Sequence, residues 1–280
     1  MTRATILIPA HNEAAVIGRT LLHLSSGLLR DEFKIVVIAN GCSDTTAAKA
    51  RSLLPRGVVI ETAIPGKCNA LNLGLNEAER DRPVICLDAD VDVTLETLLA
   101  LIEPLENGAA LTACGRMDVH TCDAHPLVRA YYNGWKNNPY FDRGKFGGLF
   151  AVSPKGAERV FPLPHITADD EFVRRSFAPH EIAYVERCRF TARAPKSLSS
   201  LARVRRRSLR GAREVSALGL PSPERGSVGV VLWRSICNPR RLYPVSVYVA
   251  VNAWARMADV CSTTGANTHW ERDLTTRIGG

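Results

Sequence analysis

The sequence predicts an α/β protein: a mainly parallel sheet flanked by helices and followed by a helical C-terminal appendage. Two observations carry this. Short apolar, β-branched runs alternate with segments whose apolar residues recur at helical spacing through the first ninety or so residues, the pattern of successive βαβ units. Polar residues also gather directly after each apolar run, where open sheets of this kind place their ligands.

Taken in order, Thr5 to Pro9 reads as a buried strand and Asn12 to Leu24 as a helix. Phe33 to Ala39 is a second apolar run, and the turn Asn40 to Asp44 leads into an alanine-rich helix from Thr45 to Leu54. Val58 to Thr62 is a third strand, Lys67 to Glu79 a helix and Val84 to Leu87 a fourth strand. Beyond Glu106 the pattern loosens into a polar aromatic stretch with Tyr131, Tyr132, Trp135, Asn137, Asn138 and Tyr140, ahead of Gly144 to Gly148. Gly219 to Gly229, with two prolines and three glycines, reads as a connection to the C-terminal tail.

With 280 residues, 46% of them hydrophobic, the chain is long enough to bury a core, and disorder is not expected. Its start runs straight into a strand pattern without the features of a signal peptide, so a cytoplasmic protein is expected. The eight cysteines lack Cys-x-x-Cys spacing and mostly sit in apolar contexts, which predicts reduced core residues and no zinc site. Net charge is +8, and Arg187 to Arg213 alone holds ten Lys or Arg residues and no acidic one. That stretch suits an anionic partner, or a solvated basic helix face. No window has the ~18 uninterrupted apolar residues of a membrane span. Peripheral contact at the inner face of a membrane stays open.

Asp88-Ala89-Asp90 ends an apolar strand, and the period-two alternation of an extended chain puts its two carboxylates on one side. Such a pair can hold Mg²⁺ or Mn²⁺, whose shell is then completed by substrate phosphates. Neither Gly-x-Gly-x-x-Gly nor a Gly-x-x-x-x-Gly-Lys-Ser/Thr loop is present, which disfavours nicotinamide enzymes and P-loop NTPases.

Four segments follow in order: Ile6 to Glu13, Val36 to Thr46, Gly66 to Asn72, and Asp88 to Asp90. The series resembles the donor half of glycosyltransferase family 2, which has the GT-A fold. Gly147 to Ser153 and Ala168 to Val173 resemble that family's acceptor-side glycine segment and its acidic catalytic-base motif. The resemblance covers roughly Thr5 to Arg210 and implies a glycosyltransferase domain over 1–215, with the donor half about 1–106, the acceptor and catalytic half 107–215, and a helical tail 216–280.

By that resemblance, Pro9, Ala10, His11, Glu13, Asn40 and Asp44 cradle the nucleoside of a nucleoside-diphosphate sugar, and Lys67 adds a positive contact. Many relatives carry two aspartates where this chain has Ala39-Asn40. Asp90 is the leading metal ligand, and Asp88 supports it or reaches the ribose. Asp92 is expected to be a solvated bystander. Asp170 is the expected general base, Asp169 an acceptor-orienting residue and Glu171 a solvated acid of the helix's first turn. Gly147, Gly148 and Trp135 fall on the acceptor side. Arg206 and Arg207 match in part a basic element that closes over the leaving diphosphate. The implied reaction is inverting transfer to an acceptor hydroxyl, lipid-linked or on a small molecule, with no nucleic acid involved.

Two other readings stand beside this one. A sugar nucleotidyltransferase also combines an α/β sheet, a metal and a nucleotide, but it needs a glycine-rich basic loop after the first strand. A module that grips nucleic acid or an anionic membrane through the arginine stretch predicts binding without turnover. His23, His120, His125 and His180 lack ligand spacing and read as surface or core residues, while His165 lies close enough to the acidic motif to meet an acceptor. The aromatic stretch fits sugar stacking and core packing equally.

Overall fold

A computed structural model describes residues 2–24, 32–137, 144–221 and 239–261, with the side chains of the last segment described over 241–258. Asn138, Tyr140, Cys237 and most of the expected connection at Gly219 to Gly229 lie outside these residues. Among the described residues seven strands form: β1 (Ala4–Ala10), β2 (Phe33–Asn40), β3 (Val58–Thr62), β4 (Val84–Leu87), β5 (Thr112–His120), β6 (Lys145–Val152) and β7 (Ile182–Arg193). They make one sheet in the order β3-β2-β1-β4-β6-β5-β7. β1 pairs in parallel with both β2 and β4, and β2 with β3, whereas β6 runs antiparallel to β4 and β5. The mainly parallel α/β sheet read from the sequence is the sheet observed.

The continuous apolar runs follow from coverage on both faces. Ile6 and Ile8 of β1, Ile35 and Val37 of β2, and Ile85 and Leu87 of β4 enter one core. The alternate residues Leu7, Val36, Ile38, Val84 and Cys86 enter the other. Between the strands the chain forms the helices α1 (Ile17–Leu24), α2 (Thr46–Leu53), α3 (Lys67–Leu75), α4 (Leu95–Glu106), α5 (Pro126–Trp135), α6 (Pro154–Val160) and α7 (Asp169–Arg175). The chain then forms α8 (Leu198–Ala217) and α9 (Pro239–Cys261).

The first helix starts at Ile17, later than the expected Asn12. Asn12 has φ 51°, a left-handed conformation that no helix continues through. Cys68, Cys86, Cys114 and Cys188 are reduced and buried as expected, but Cys42 is half-buried in a loop and Cys122 is exposed. Burial pushes the Cys114 and Cys188 thiols up to about 12, so both stay protonated at neutral pH.

The chain divides into two compact units, 1–118 with 144–192, and 119–143 with 193–280. These boundaries differ from the divisions at 106 and 215 drawn from the sequence, because α5 packs with the C-terminal helices. In the second unit α9 packs on α5 and α8. Gly134 of α5 permits the closest approach, since a Cβ there would lie 2.3 Å from the carbonyl oxygen of Pro244. Backbone on both sides leaves nothing to rotate away. Gly134→Ala should therefore destabilise this unit by about 1–3 kcal/mol, seen as a lower unfolding midpoint. An unchanged midpoint would mean that α5 and α9 do not meet here.

Candidate active site

The first unit gathers its polar residues beyond the carboxyl ends of β1, β2 and β4, at the switch point where β1 takes neighbours on both sides. After β1, His11 Nδ1 donates to the Asn40 carbonyl oxygen. Asn40 is 3% exposed, and its amide ties three segments together. Its Nδ2 donates to the Ala10 carbonyl at 2.9 Å and its Oδ1 accepts from the Gly66 amide at 2.9 Å. An aspartate could accept from Gly66 but not donate to Ala10.

Asp44 is likewise engaged with the loop. Its carboxylate accepts from the Thr46 amide at 3.0 Å and the Ala14 amide at 3.1 Å. Partial burial opposes ionisation, yet the hydrogen bonds from Thr46 and Ala14 prevail and hold the Asp44 carboxyl below its usual range. Glu13 is buried, and its amide donates to Thr46 Oγ1 at 2.8 Å. Pro9 and Ala10 end β1. Asn40, Asp44 and Glu13 thus shape the loop that the resemblance assigns to the nucleoside.

Gly66, at φ 137°, turns the chain into α3 and sets Lys67 as its first residue. The Lys67 ammonium lies 2.7 Å from Asp88 Oδ1 and 2.9 Å from Asp169 Oδ2. Lys67 thus joins the two acidic motifs. Burial alone would push Lys67 down, but Asp169, Asp88 and Asp170 outweigh it and hold its pKa well above the usual value.

β6 completes the arrangement because it runs antiparallel to β4. Its glycine segment therefore lies beside the end of β4, and the Asp88 amide donates to the Gly148 carbonyl at 2.9 Å. A Cβ on Gly147 would lie 3.1 Å from Asp170 Oδ2 and 3.0 Å from Lys145 Nζ. One on Gly148 would lie 3.9 Å from Asp88 Oδ2 and 3.0 Å from Val91. The two glycines thus keep open the space next to both carboxylates. His165 stands at the same turn, with its Cε1 3.6 Å from a Cβ built on Gly66.

α7 begins with the acidic run, and its three carboxylates diverge. Asp169 is buried, 2% exposed. Burial, with help from Asp170 and Asp88, raises its carboxyl to about 6 against the pull of Lys67. Asp170 is only partly buried, and its Oδ1 accepts from the Glu171 amide at 2.8 Å. Glu171 is not the solvated acid expected: it pairs with Arg174 and Arg175 at 2.7 Å each, and its side chain is 17% exposed. Burial opposes its ionisation, but the two arginines hold the carboxyl below its usual range. Asp92 is no bystander either, since it pairs with Arg19 at 2.8 Å and bridges to Thr191.

The state of Asp169 is testable. Its carboxyl titrates higher in the fold than unfolded, so its contribution favours the fold at low pH and is lost as pH rises from about 4 to about 6. Stability of metal-free Asp169→Asn relative to the unsubstituted protein should therefore rise across that window and level off above it. Paired urea titrations read this difference, and a flat difference would mean an unshifted carboxyl.

Asp88, Asp169, Asp170, Gly147, Gly148 and Lys67 are thus brought together in the first unit, with Asp90 half-buried one step beyond Asp88. Lys145 was missed from the sequence. Period-two alternation, which puts it on the face of Gly147, was the signal that could have found it. Arg206, Arg207 and Trp135 belong to the second unit. Trp135 is 8% exposed and meets Tyr132 edge-on with ring centroids 5.8 Å apart, so it packs this unit and offers no open sugar platform. His125 caps α5 by accepting from the Leu127 amide at 3.2 Å.

Residues 5–157 match the sequence profile of Glycosyl transferase family 2. That is more than half of the chain. The chain belongs to Glycosyl transferase family 2.

Over 117 residues this family 2 chain is 28% identical to the dolichol-phosphate mannosyltransferase of Pyrococcus furiosus, in a match covering 41% of the chain and 33% of that enzyme. It thus spans about a third of that relative. Among solved structures, a mannosyltransferase from Pyrobaculum calidifontis in complex with GDP-Man and Mn²⁺ shares the fold with a TM-score of 0.59 at 20% identity, over 91% of this chain and 75% of that one. Glucosyl-3-phosphoglycerate synthase from Mycobacterium tuberculosis, in complex with Mn²⁺, UDP and glucosyl-3-phosphoglycerate, gives 0.55 at 18% identity over 78% and 81%. The GT-A-like fold inferred from the motifs is therefore the fold found.

Proposed function

We propose that this chain transfers a sugar, with inversion, from a nucleoside-diphosphate sugar to an acceptor hydroxyl. The observation that carries the reading is the convergence of both acidic motifs and the glycine segment on one crevice of the first unit. The sugar nucleotidyltransferase reading lacks its glycine-rich loop after β1. Binding of Mn²⁺ with UDP or GDP-Man by the two structural neighbours supports a metal-assisted donor here.

Asp88 and Asp90 offer hard carboxylate oxygens, with Gly148 leaving space next to Asp88, a donor set that fits Mn²⁺ or Mg²⁺ carrying a diphosphate. Bound there, the metal supplies Lewis-acid stabilisation of the leaving diphosphate. The loop from Pro9 to Glu13 and the turn from Asn40 to Asp44 form the nucleoside cradle, with Asn40 and Asp44 holding its shape. Lys67 keeps Asp169 and Asp88 in register. Asp170 takes the proton from the acceptor hydroxyl as the anomeric carbon is attacked, and Asp169 is a positioning residue for that segment. The acceptor is a hydroxyl compound, lipid-linked or small and soluble.

Screening nucleoside diphosphates and nucleotide sugars by thermal shift, with and without manganese, tests the reading, followed by metal-dependent hydrolysis of the best binder. A donor that raises the unfolding midpoint only with metal is the expected result. Stabilisation by nucleic acid alone, without turnover of any nucleotide sugar, would favour the binding-module reading instead.

A further inference from the structure

The second unit carries an apolar surface that the transfer reaction does not use. Along α9, Leu242, Tyr243, Val249, Trp254 and Met257 are 47%, 58%, 37%, 49% and 61% exposed. At 3.6 residues per turn these five fall within about 140° of the helix circumference, and the small residues Ser246, Ala250 and Ala253 lie among them. The opposite side is fully used. Val245 and Ala255 are buried, Tyr248 packs on Tyr131 of α5 with ring centroids 5.4 Å apart, and Asn252 accepts from Arg205 of α8 at 3.1 Å. One face of α9 is therefore committed to its own unit, and the other presents large apolar groups outward.

The charges say what fits that face. Residues 241–258 include Arg241 and Arg256 and no acidic residue, and both arginines are exposed. Arg256 lies along the edge of the apolar arc, one turn beyond the Asn252 that holds Arg205. α8 adds six arginines against one glutamate. A second copy of the chain would set these arginines against each other across a two-fold axis, with Asp259 the one acidic residue of α9 to answer them. An anionic bilayer supplies both complements: a hydrocarbon boundary for the aliphatic groups and phosphate headgroups for the arginines. Tyr243 and Trp254 have the amphipathic rings that favour the headgroup level. Among the described residues no helix is long and apolar enough to cross a membrane, so α9 would lie in the interface plane.

We infer that the exposed face of α9 is a docking surface for an anionic lipid bilayer. The inference concerns the second unit alone and does not depend on the chemistry proposed for the first.

Flotation of the full chain with phosphatidylcholine vesicles, and with vesicles containing about 30% phosphatidylglycerol, tests it. The chain should bind the anionic vesicles, bind the neutral ones far less, and lose affinity as salt is raised. Trp254→Glu combined with Met257→Glu should weaken vesicle binding about tenfold or more, with circular dichroism and nucleotide-sugar turnover unchanged. Leu242→Gln, a milder change on the same face, should weaken it in the same direction if the double variant is poorly folded. Absence of binding to anionic vesicles, or equal binding by all variants, overturns the inference. So would sedimentation velocity showing a dimer that both variants abolish, because the face would then belong to a second copy.

Discussion

Asp170→Asn is expected to lower sugar transfer by about 10²–10⁴-fold while leaving metal and donor binding near the unsubstituted level. The geometry separates this residue from its neighbours. Asp169 is buried and paired with Lys67, and Glu171 is held by two arginines. Asp170 Oδ2 lies 3.1 Å from a Cβ built on Gly147, at the space that glycine keeps open. A proton acceptor acts in the transition state and not in donor recognition, so its loss should appear in kcat. Asp169→Asn should also reduce transfer, but through the placement of the segment. Normal transfer by Asp170→Asn with none by Asp169→Asn would shift the base by one residue, and normal transfer by both would remove the acidic motif from the chemistry.

Asp90→Asn should abolish the manganese-induced rise in unfolding midpoint and reduce turnover by orders of magnitude, with the fold retained. Asparagine keeps the shape but removes the charge that a hard cation needs. Asp88→Asn should have a second effect, because Asp88 also answers Lys67. Removing one of the two carboxylates around a buried ammonium should lower stability without added metal as well. Metal-dependent turnover that survives in Asp90→Asn would defeat the assignment of the site.

Much of this was legible in the sequence because parallel strands leave a continuous apolar signature, and the polar residues stand where those runs stop. Ile6 to Ile8, Val36 to Ile38 and Val84 to Leu87 declare buried strands, and the Asp88–Asp90 pair follows from its place after the last. Other features depend on partners far along the chain. Lys67 reads as a contact to the nucleotide, and its pairing with Asp88 and Asp169 emerges only when β4, α3 and α7 come together. Glu171 reads as a solvated acid until the helix turn places Arg174 and Arg175 on it. Asn40 has the residue type of a ligand contact, yet the amide serves as a strut between loops. The grouping of α5 with α8 and α9 was hidden too, since the signal is a missing side chain at Gly134 opposite a carbonyl more than a hundred residues away.

The position of β6 between β4 and β5 has a consequence for how the chain is made. β5 is synthesised first, but both its neighbours in the sheet, β6 and β7, come later. A nascent chain that has emerged only as far as β5 therefore holds the three parallel pairings among β1 to β4 and leaves the far side of β4 as an open edge. Such an edge is a template for unwanted strand pairing. Insertion of β6 closes it and, in the same event, sets Gly147 and Gly148 beside Asp88. Protection of the nascent sheet from aggregation and assembly of the candidate catalytic crevice are thus a single, late, non-local step of folding.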